Sequence, residues 1–195
     1  FAGMSARSIG PSRTIGGISA IDVVVADPNV VYVGTVRGGL WKSANGGQTW
    51  RAVFDDQPVS DISAVVINQT RPDVIWVGIG EGNGTRDPTV PGVFRSVDDG
   101  ETWVPGGLPG LGGVHQLLLH PVNPLIAFAG VSGRKWEAGE GRGVYRTGNG
   151  GRTWNRVLFV DQSTGVSDLV MDPSDPERLL AAMSSRRVTP WSIEP

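Results

Sequence analysis

Two short stretches of this sequence hold residue types that can do chemistry. Residues 80–91 contain Glu81, Arg86 and Asp87, and residues 132–142 contain Arg134, Lys135, Glu137 and Glu140. Asp55, Asp56 and Asp61 form a further acidic group. Two carboxyl groups facing one gap, about 5 to 9.5 Å apart, can hydrolyse a glycosidic bond. Spacing along the chain does not supply that distance, and a solvated rim of mixed charge is the simpler expectation. If the chain is an enzyme, the catalytic candidates are Asp22, Asp56, Glu81 and Asp87. Asp22 stands out because it interrupts an apolar run, Ile18 to Val25. A buried lone carboxylate is costly, so it is expected to be paired internally or to face a solvent channel. Two tryptophans, Trp136 and Trp191, offer flat surfaces for a sugar ring or an anchor for a protein partner. The candidate binding set is therefore Trp136, Trp191, Arg86, Arg134, Lys135 and Glu81.

Several other chemistries are excluded. There is no cysteine, so disulfides, thiolate metal sites and cysteine nucleophiles are absent. His115 and His120 do not form a metal-binding spacing, and neither a Gly-x-Ser-x-Gly elbow nor a phosphate loop occurs. No metal and no cofactor are expected. Charged residues make up 18% of the chain and the formal net charge is −2, which lacks the basic footprint of a nucleic-acid binder. No run approaches the roughly 20 apolar residues of a membrane-spanning helix. The chain opens on Phe1 with no basic or apolar leader pattern, so a removed signal or missing ends of a longer protein are expected.

The elements that must position these residues recur along the chain. Ser43-Ala-Asn45-Gly-Gly47-Gln-Thr49-Trp50, Ser96-Val-Asp98-Asp-Gly100-Glu-Thr102-Trp103 and Thr147-Gly-Asn149-Gly-Gly151-Arg-Thr153-Trp154 are copies of one box, Ser/Thr-x-Asp/Asn-x-Gly-x-Thr-Trp. Runs beginning at Ile18, Ile62, Val114 and Val166 recur in step, each followed by a proline: Pro28, Pro72, Pro124 and Pro176. Two further apolar runs separate proline from box in the complete copies, and a last one starts at the box tryptophan. The unit is thus four short strands, with Asn/Asp closing the last hairpin and Gly supplying positive φ.

With 29 glycines and 14 prolines in 195 residues, a helical bundle is disfavoured. Four-stranded units of this period predict an all-β chain: a β-propeller segment of about three and a half blades, part of a larger ring. Residues 1–17 lead in. Residues 18–61, 62–113 and 114–165 form three blades, and 166–195 a partial fourth. Residues 177–187 have helical propensity, but their register with the other second strands favours a strand. Boxes and proline turns are expected on one face, with the variable loops opposite. Loops that vary on a repeated scaffold are where binding sits. Tyr32, Trp76 and Phe128 share one repeat position, and Trp41, Phe94 and Tyr145 another, so these aromatics read as packing. Trp136 and Trp191 fall outside the repeat.

The boxes resemble Asp-boxes (BNR repeats) of sialidases, sortilin-type receptors and xyloglucanase-like glycosidases. Arg7-Ser-Ile-Gly-Pro11, Gly16-Gly-Ile-Ser-Ala-Ile21, Phe54-Asp-Asp-Gln-Pro58, Gly80-Glu-Gly-Asn83 and Leu158-Phe-Val-Asp161 resemble bacterial sortilin-like (VPS10-type) propellers. The resemblance implies that the box residues Ser43, Asn45, Gly47, Trp50, Ser96, Asp98, Gly100, Trp103, Thr147, Asn149, Gly151 and Trp154 are structural. It implies an extracytoplasmic, non-catalytic module that recognises a protein partner through its loop face. Related Asp-box propellers include photosystem assembly factors, so an extrinsic subunit of a membrane complex is one such role. The alternative is a xyloglucanase-like glycoside hydrolase, with carbohydrate as ligand. Sialidase chemistry would need a tyrosine nucleophile, and both tyrosines are accounted for by packing.

Overall fold

A computed structural model of the chain describes residues 17–80, 89–134, 138–185, 187–188 and 193–194. Short apolar runs punctuated by Gly, Pro and Asp turns fold into antiparallel sheets in simple up-and-down order. The first sheet holds β1 (Ile18–Val23), β2 (Val31–Thr35), β3 (Leu40–Ser43) and β4 (Arg51–Ala52). The second holds β5 (Ile62–Ile67), β6 (Ile75–Ile79), β7 (Val93–Ser96) and β8 (Val104–Pro105). The third holds β9 (Gly113–Leu119), β10 (Ala127–Gly133), β11 (Gly143–Thr147) and β12 (Asn155–Leu158). A pair, β13 (Thr164–Asp172) and β14 (Asp175–Ser185), follows, and then a minimal pair, β15 (Arg187–Val188) and β16 (Ile193–Glu194). No helix occurs among the described residues.

One register runs through all four copies. Ile21 lies opposite Val33, Val65 opposite Val77, Leu117 opposite Ala129, and Leu169 opposite Ala181. Residues 177–185 therefore form a strand despite their helical propensity, because tertiary pairing outweighs it. The fourth copy departs at its turn. In the first three, a longer loop closes through Val24 N–H to Val30 O, Asn68 N–H to Val74 O, and His120 N–H to Ile126 O. In the fourth, Asp172 Oδ1 accepts from the Ser174 N–H and hydroxyl, and Asp172 pairs directly with Asp175. The expected proline turn is thus shortened, and Pro176 lies inside β14, near its start, where the missing N–H is tolerated. The strand continues to Ser185, beyond the expected end near Ala182.

Successive sheets pack through their first strands, β1 on β5, β5 on β9 and β9 on β13. Three apolar clusters fill the successive joints. Tyr32, Phe54, Ile62 and Trp103 lie in one, Trp76, Val93, Val114 and Tyr145 in the next, and Phe128, Val166 and Leu169 in the last. Close approach at each joint needs a bare backbone. A Cβ on Gly34 would lie 2.5 Å from Ile62 Cγ2, one on Gly78 only 2.3 Å from the Val114 carbonyl oxygen, and one on Gly130 2.8 Å from Val166 Cγ1. The fourth copy carries Ala182 at that position, and there its face is exposed. Each first strand also bulges at the same residue: Ser19, Ser63, His115 or Ser167. The bulge turns the Ser19 hydroxyl onto the Ile62 carbonyl, and the Ser63 hydroxyl onto the Val114 carbonyl at 2.6 Å.

The boxes close the third hairpin of each complete sheet in one geometry. The hydroxyls of Ser43, Ser96 and Thr147 accept the N–H of Gly47, Gly100 and Gly151 at 2.8, 2.9 and 3.0 Å. Oδ1 of Asn45, Asp98 and Asn149 accepts the N–H of Thr49, Thr102 and Thr153. The amides of Asn45 and Asn149 donate to the threonine hydroxyl, whereas the Thr102 hydroxyl donates to Asp98. Trp103 and Trp154 then donate their indole N–H to the preceding sheet, at Val53 O and Gly106 O. Trp50 donates to Gly47 O of its own box.

Two outcomes follow from this packing. Gly78→Ala is expected to cost about 2 kcal/mol, because the clash is with backbone that cannot rotate away. Gly139→Ala, with nothing within 4 Å, should stay within about 0.5 kcal/mol in the same urea titration. Asp98 is held below its ordinary value of 3.8, chiefly by the Thr102 hydroxyl and then by the Thr102 N–H and the Ser96 hydroxyl. A carboxyl lowered by folding adds stability that is complete above that value and is lost as pH falls through the lowered one. Asp98→Asn, which copies the other two boxes, should keep the fold at neutral pH and remove part of the acid sensitivity below about pH 4, read from denaturation midpoints against pH.

Candidate functional site

The hairpin boxes and the turns between first and second strands share one face. Gly46, Asp99 and Gly150 donate their N–H to the carbonyls of Asn29, Asp73 and Leu125 in those turns. The variable loops occupy the other face. Of the expected site residues there, Glu81, Arg86, Asp87, Lys135, Trp136, Glu137 and Trp191 lie outside the described residues. Asp55 and Asp56 are exposed in the loop after β4. The Asp61 carbonyl accepts the Gly80 N–H.

Arg134 and Glu140 meet at a cavity of about 230 Å³. The loop after β8 contributes Gly110 and Leu111, and the loop between β10 and β11 contributes Ala138 to Arg142. Among its described residues, the second loop is strapped from Gly139 to Arg142. Gly139 N–H donates to Gln162 O at 2.9 Å, and Gln162 Nε2 donates to Glu140 Oε1 at 3.1 Å. Arg156 donates to the Glu140 carbonyl, and the Tyr145 hydroxyl donates to the Gly141 carbonyl at 3.1 Å. Arg142 is buried and donates to the Ser132 and Arg134 carbonyls. Gly133, at φ 73°, leaves room for its side chain, since a Cβ there would lie 2.5 Å from Arg142 Cγ. The result is a small hollow walled by glycine, alanine and leucine, with Arg134, Glu140 and the buried Arg142 as its charged lining residues. Its volume suits a side chain or a single ring rather than a large ligand.

Asp22 is half-buried, with both carboxylate oxygens hydrogen-bonded. Its Oδ2 accepts the Ile67 N–H at 2.7 Å and its Oδ1 the Val23 N–H at 2.8 Å, tying the first sheet to the second. Burial pushes its carboxyl up, against those two N–H bonds. Both tyrosine hydroxyls are also committed. Tyr145 is tied as described, with burial pushing its phenol up. Tyr32 donates to Asp99 Oδ1 at 2.8 Å, and burial first, then Asp99, raises it far above the usual range. Lys42, 9% exposed, pairs with the same Asp99 carboxylate. Asp99 adopts φ 62° where the other boxes have Gly46 and Gly150, both also at positive φ. The joint formed by Tyr32, Lys42 and Asp99 was not expected from the repeat pattern, although an aspartate in a glycine position was its visible sign. Arg142, between two glycines, carried no such sign. Among the described residues, no cluster of three or more His, Cys, Asp or Glu could hold a metal ion. No helix among them is long and apolar enough to cross a membrane.

No family model matches the chain. It is 28% identical over 162 residues to a xyloglucanase from Hypocrea jecorina (strain QM6a), covering 75% of this chain and 18% of that protein. In structure it is similar to an ancestral GH74 enzyme, with TM-score 0.67 and 20% identity over 89% of this chain and 22% of the other. It is also similar to YCF48 bound to D1 peptide, with TM-score 0.58 and 18% identity over 84% of this chain and 47% of the other. The chain thus spans about a fifth of the xyloglucanase and of the GH74 enzyme. These likenesses and the repeated sheets establish the fold as a β-propeller segment.

Proposed function

We propose that this chain is a non-catalytic binding segment that recognises a protein partner through its variable-loop face, outside the cytoplasm, as an extrinsic part of a membrane complex. The observation that carries this reading is the strapped hollow beside Arg134 and Glu140. The backbone and most polar groups of its β10–β11 wall are bonded within the chain, which leaves a rigid surface and few groups free to move protons. Rigid loops lose little entropy when a partner docks. A peptide-bound neighbour of the same fold, YCF48, supports the choice of partner. The sortilin-like pattern supports the same choice. Trp136 and Trp191 remain the proposed anchors, with Arg86, Arg134, Lys135 and Glu81 as the polar rim.

A second reading rests on the sequence similarity to a xyloglucanase, which supports a glycoside hydrolase with xyloglucan as substrate. In that reading Asp56, Glu81 and Asp87 are the carboxylates to test, while Asp22 is spent on backbone N–H groups.

A single pair of assays separates the readings. The protein is screened on arrays of immobilised peptides and of xyloglucan oligosaccharides, and is incubated with xyloglucan while new reducing ends are counted. A binding module retains peptides, releases no reducing ends, and loses about tenfold or more in affinity on Trp136→Ala or Leu111→Asp. Release of reducing ends that disappears on Glu81→Gln or Asp87→Asn would replace the proposal with the hydrolase.

A further inference from the structure

The joint between the first and second sheets and that between the second and third are built on equivalent residues, yet their charges differ. In the first joint Lys42 lies 5.5 Å from the Tyr32 ring centroid, and Asp99 of the next box pairs with it. Arg51, opposite Lys42 in the sheet, pairs with Glu101 of the same box at 2.5 Å. Two cations thus meet two carboxylates supplied by Asp99-Gly100-Glu101. In the second joint Arg95 replaces Lys42 and lies 5.5 Å from the Trp76 ring centroid. The matching box segment is Gly150-Gly151-Arg152, so the first carboxylate is lost to glycine and the second is replaced by a charge of opposite sign.

The consequences are visible around Arg95. Its Nη1 has moved beside Gly150, into space where a Cβ on that residue would lie 2.7 Å away. Its Nε is buried without a hydrogen-bond partner among the described residues, and so is the indole nitrogen of Trp76 beneath it, a side chain 0% exposed. Burial first, then the charges of Arg71 and Arg152, lowers the guanidinium from its usual range. Arg71 is itself paired, with Asp73 at 2.7 Å, and Arg152 is exposed. A half-buried guanidinium whose Nε has no acceptor among the described residues, beside two further arginines, lacks the carboxylate that the neighbouring joint contains.

We propose that this joint, on the turn face between the second and third sheets, binds the carboxylates of an acidic peptide, with Arg95 as the principal contact and Arg152 and Arg71 beside it. The first carboxylate of the ligand takes the place that Asp99 fills one sheet earlier, beside Gly150. Arg95 takes the place of Lys42, Val104 stands where Arg51 does, and Arg152 stands where Glu101 does, so the second carboxylate of the ligand meets Arg152. The site lies on the opposite face from the strapped hollow and stands independently of that reading.

The test uses the end-blocked pentapeptide Gly-Asp-Gly-Glu-Gly in titration calorimetry, with Gly-Asn-Gly-Gln-Gly and sodium acetate as the other arms. The acidic peptide binds saturably and the amide peptide does not. Arg95→Gln weakens binding about tenfold or more, and Arg152→Gln about threefold. Gly150→Asp fills the joint from within, as Asp99 does at a similar positive φ, so it abolishes binding while the chain stays folded, read from its circular dichroism. It forces no backbone clash, because the nearest atoms are the ends of Arg95 and Leu125. Equal binding of the amide peptide, unchanged affinity in Arg152→Gln and Gly150→Asp, or displacement by acetate at equal carboxylate concentration would each overturn the assignment.

Discussion

Each sheet meets the next across a backbone left bare at one point. Gly34, Gly78 and Gly130 remove the side chain where the first strand of the following sheet arrives. The bulge at Ser19 and Ser63 then turns a hydroxyl across the same gap onto a carbonyl of the next sheet. The rest of the structure depends on this approach. Only at that distance can Phe54 stack edge-on against both Phe94 and Trp103, and only then does the Trp103 indole reach Val53 O. The core is thus a series of joints rather than one interior, with each cluster shared between two copies.

The fold was legible because its period is written in side chains that the geometry cannot exchange. The box serine or threonine, the Asn/Asp two residues on, and the glycine that follows each answer to one hydrogen bond or one positive φ. The register of β14 followed from the same counting, against its helical propensity. Its shortened turn did not, because Asp172 and Ser174 close it through a side-chain bond that a shared proline conceals. The site was less legible. Repeat logic assigns what is common to all copies, whereas Arg142 and Asp99 act through what is peculiar to one. The hollow beside Glu140 needs the distances among Gln162, Arg156 and Tyr145, residues that lie on different strands.

The two faces divide the work in physical terms. On the turn face, the hydrogen bonds of Ser or Thr, Asn or Asp, and Gly repeat from box to box, and the charges beside them vary. On the loop face, length varies and the chain is held by straps particular to each loop. Asp22, which looked like chemistry in the sequence, belongs to neither face. It caps the Ile67 N–H and so serves the joint between sheets.

Ala182 gives the fourth sheet a methyl where its three predecessors have none. At Gly78 the approaching group is the Val114 carbonyl, which a methyl would meet, whereas at Gly34 and Gly130 the nearest groups are the side chains of Ile62 and Val166. The copies are therefore not interchangeable bricks. Gly78 is the seam at which exchange for the alanine of the fourth copy costs most.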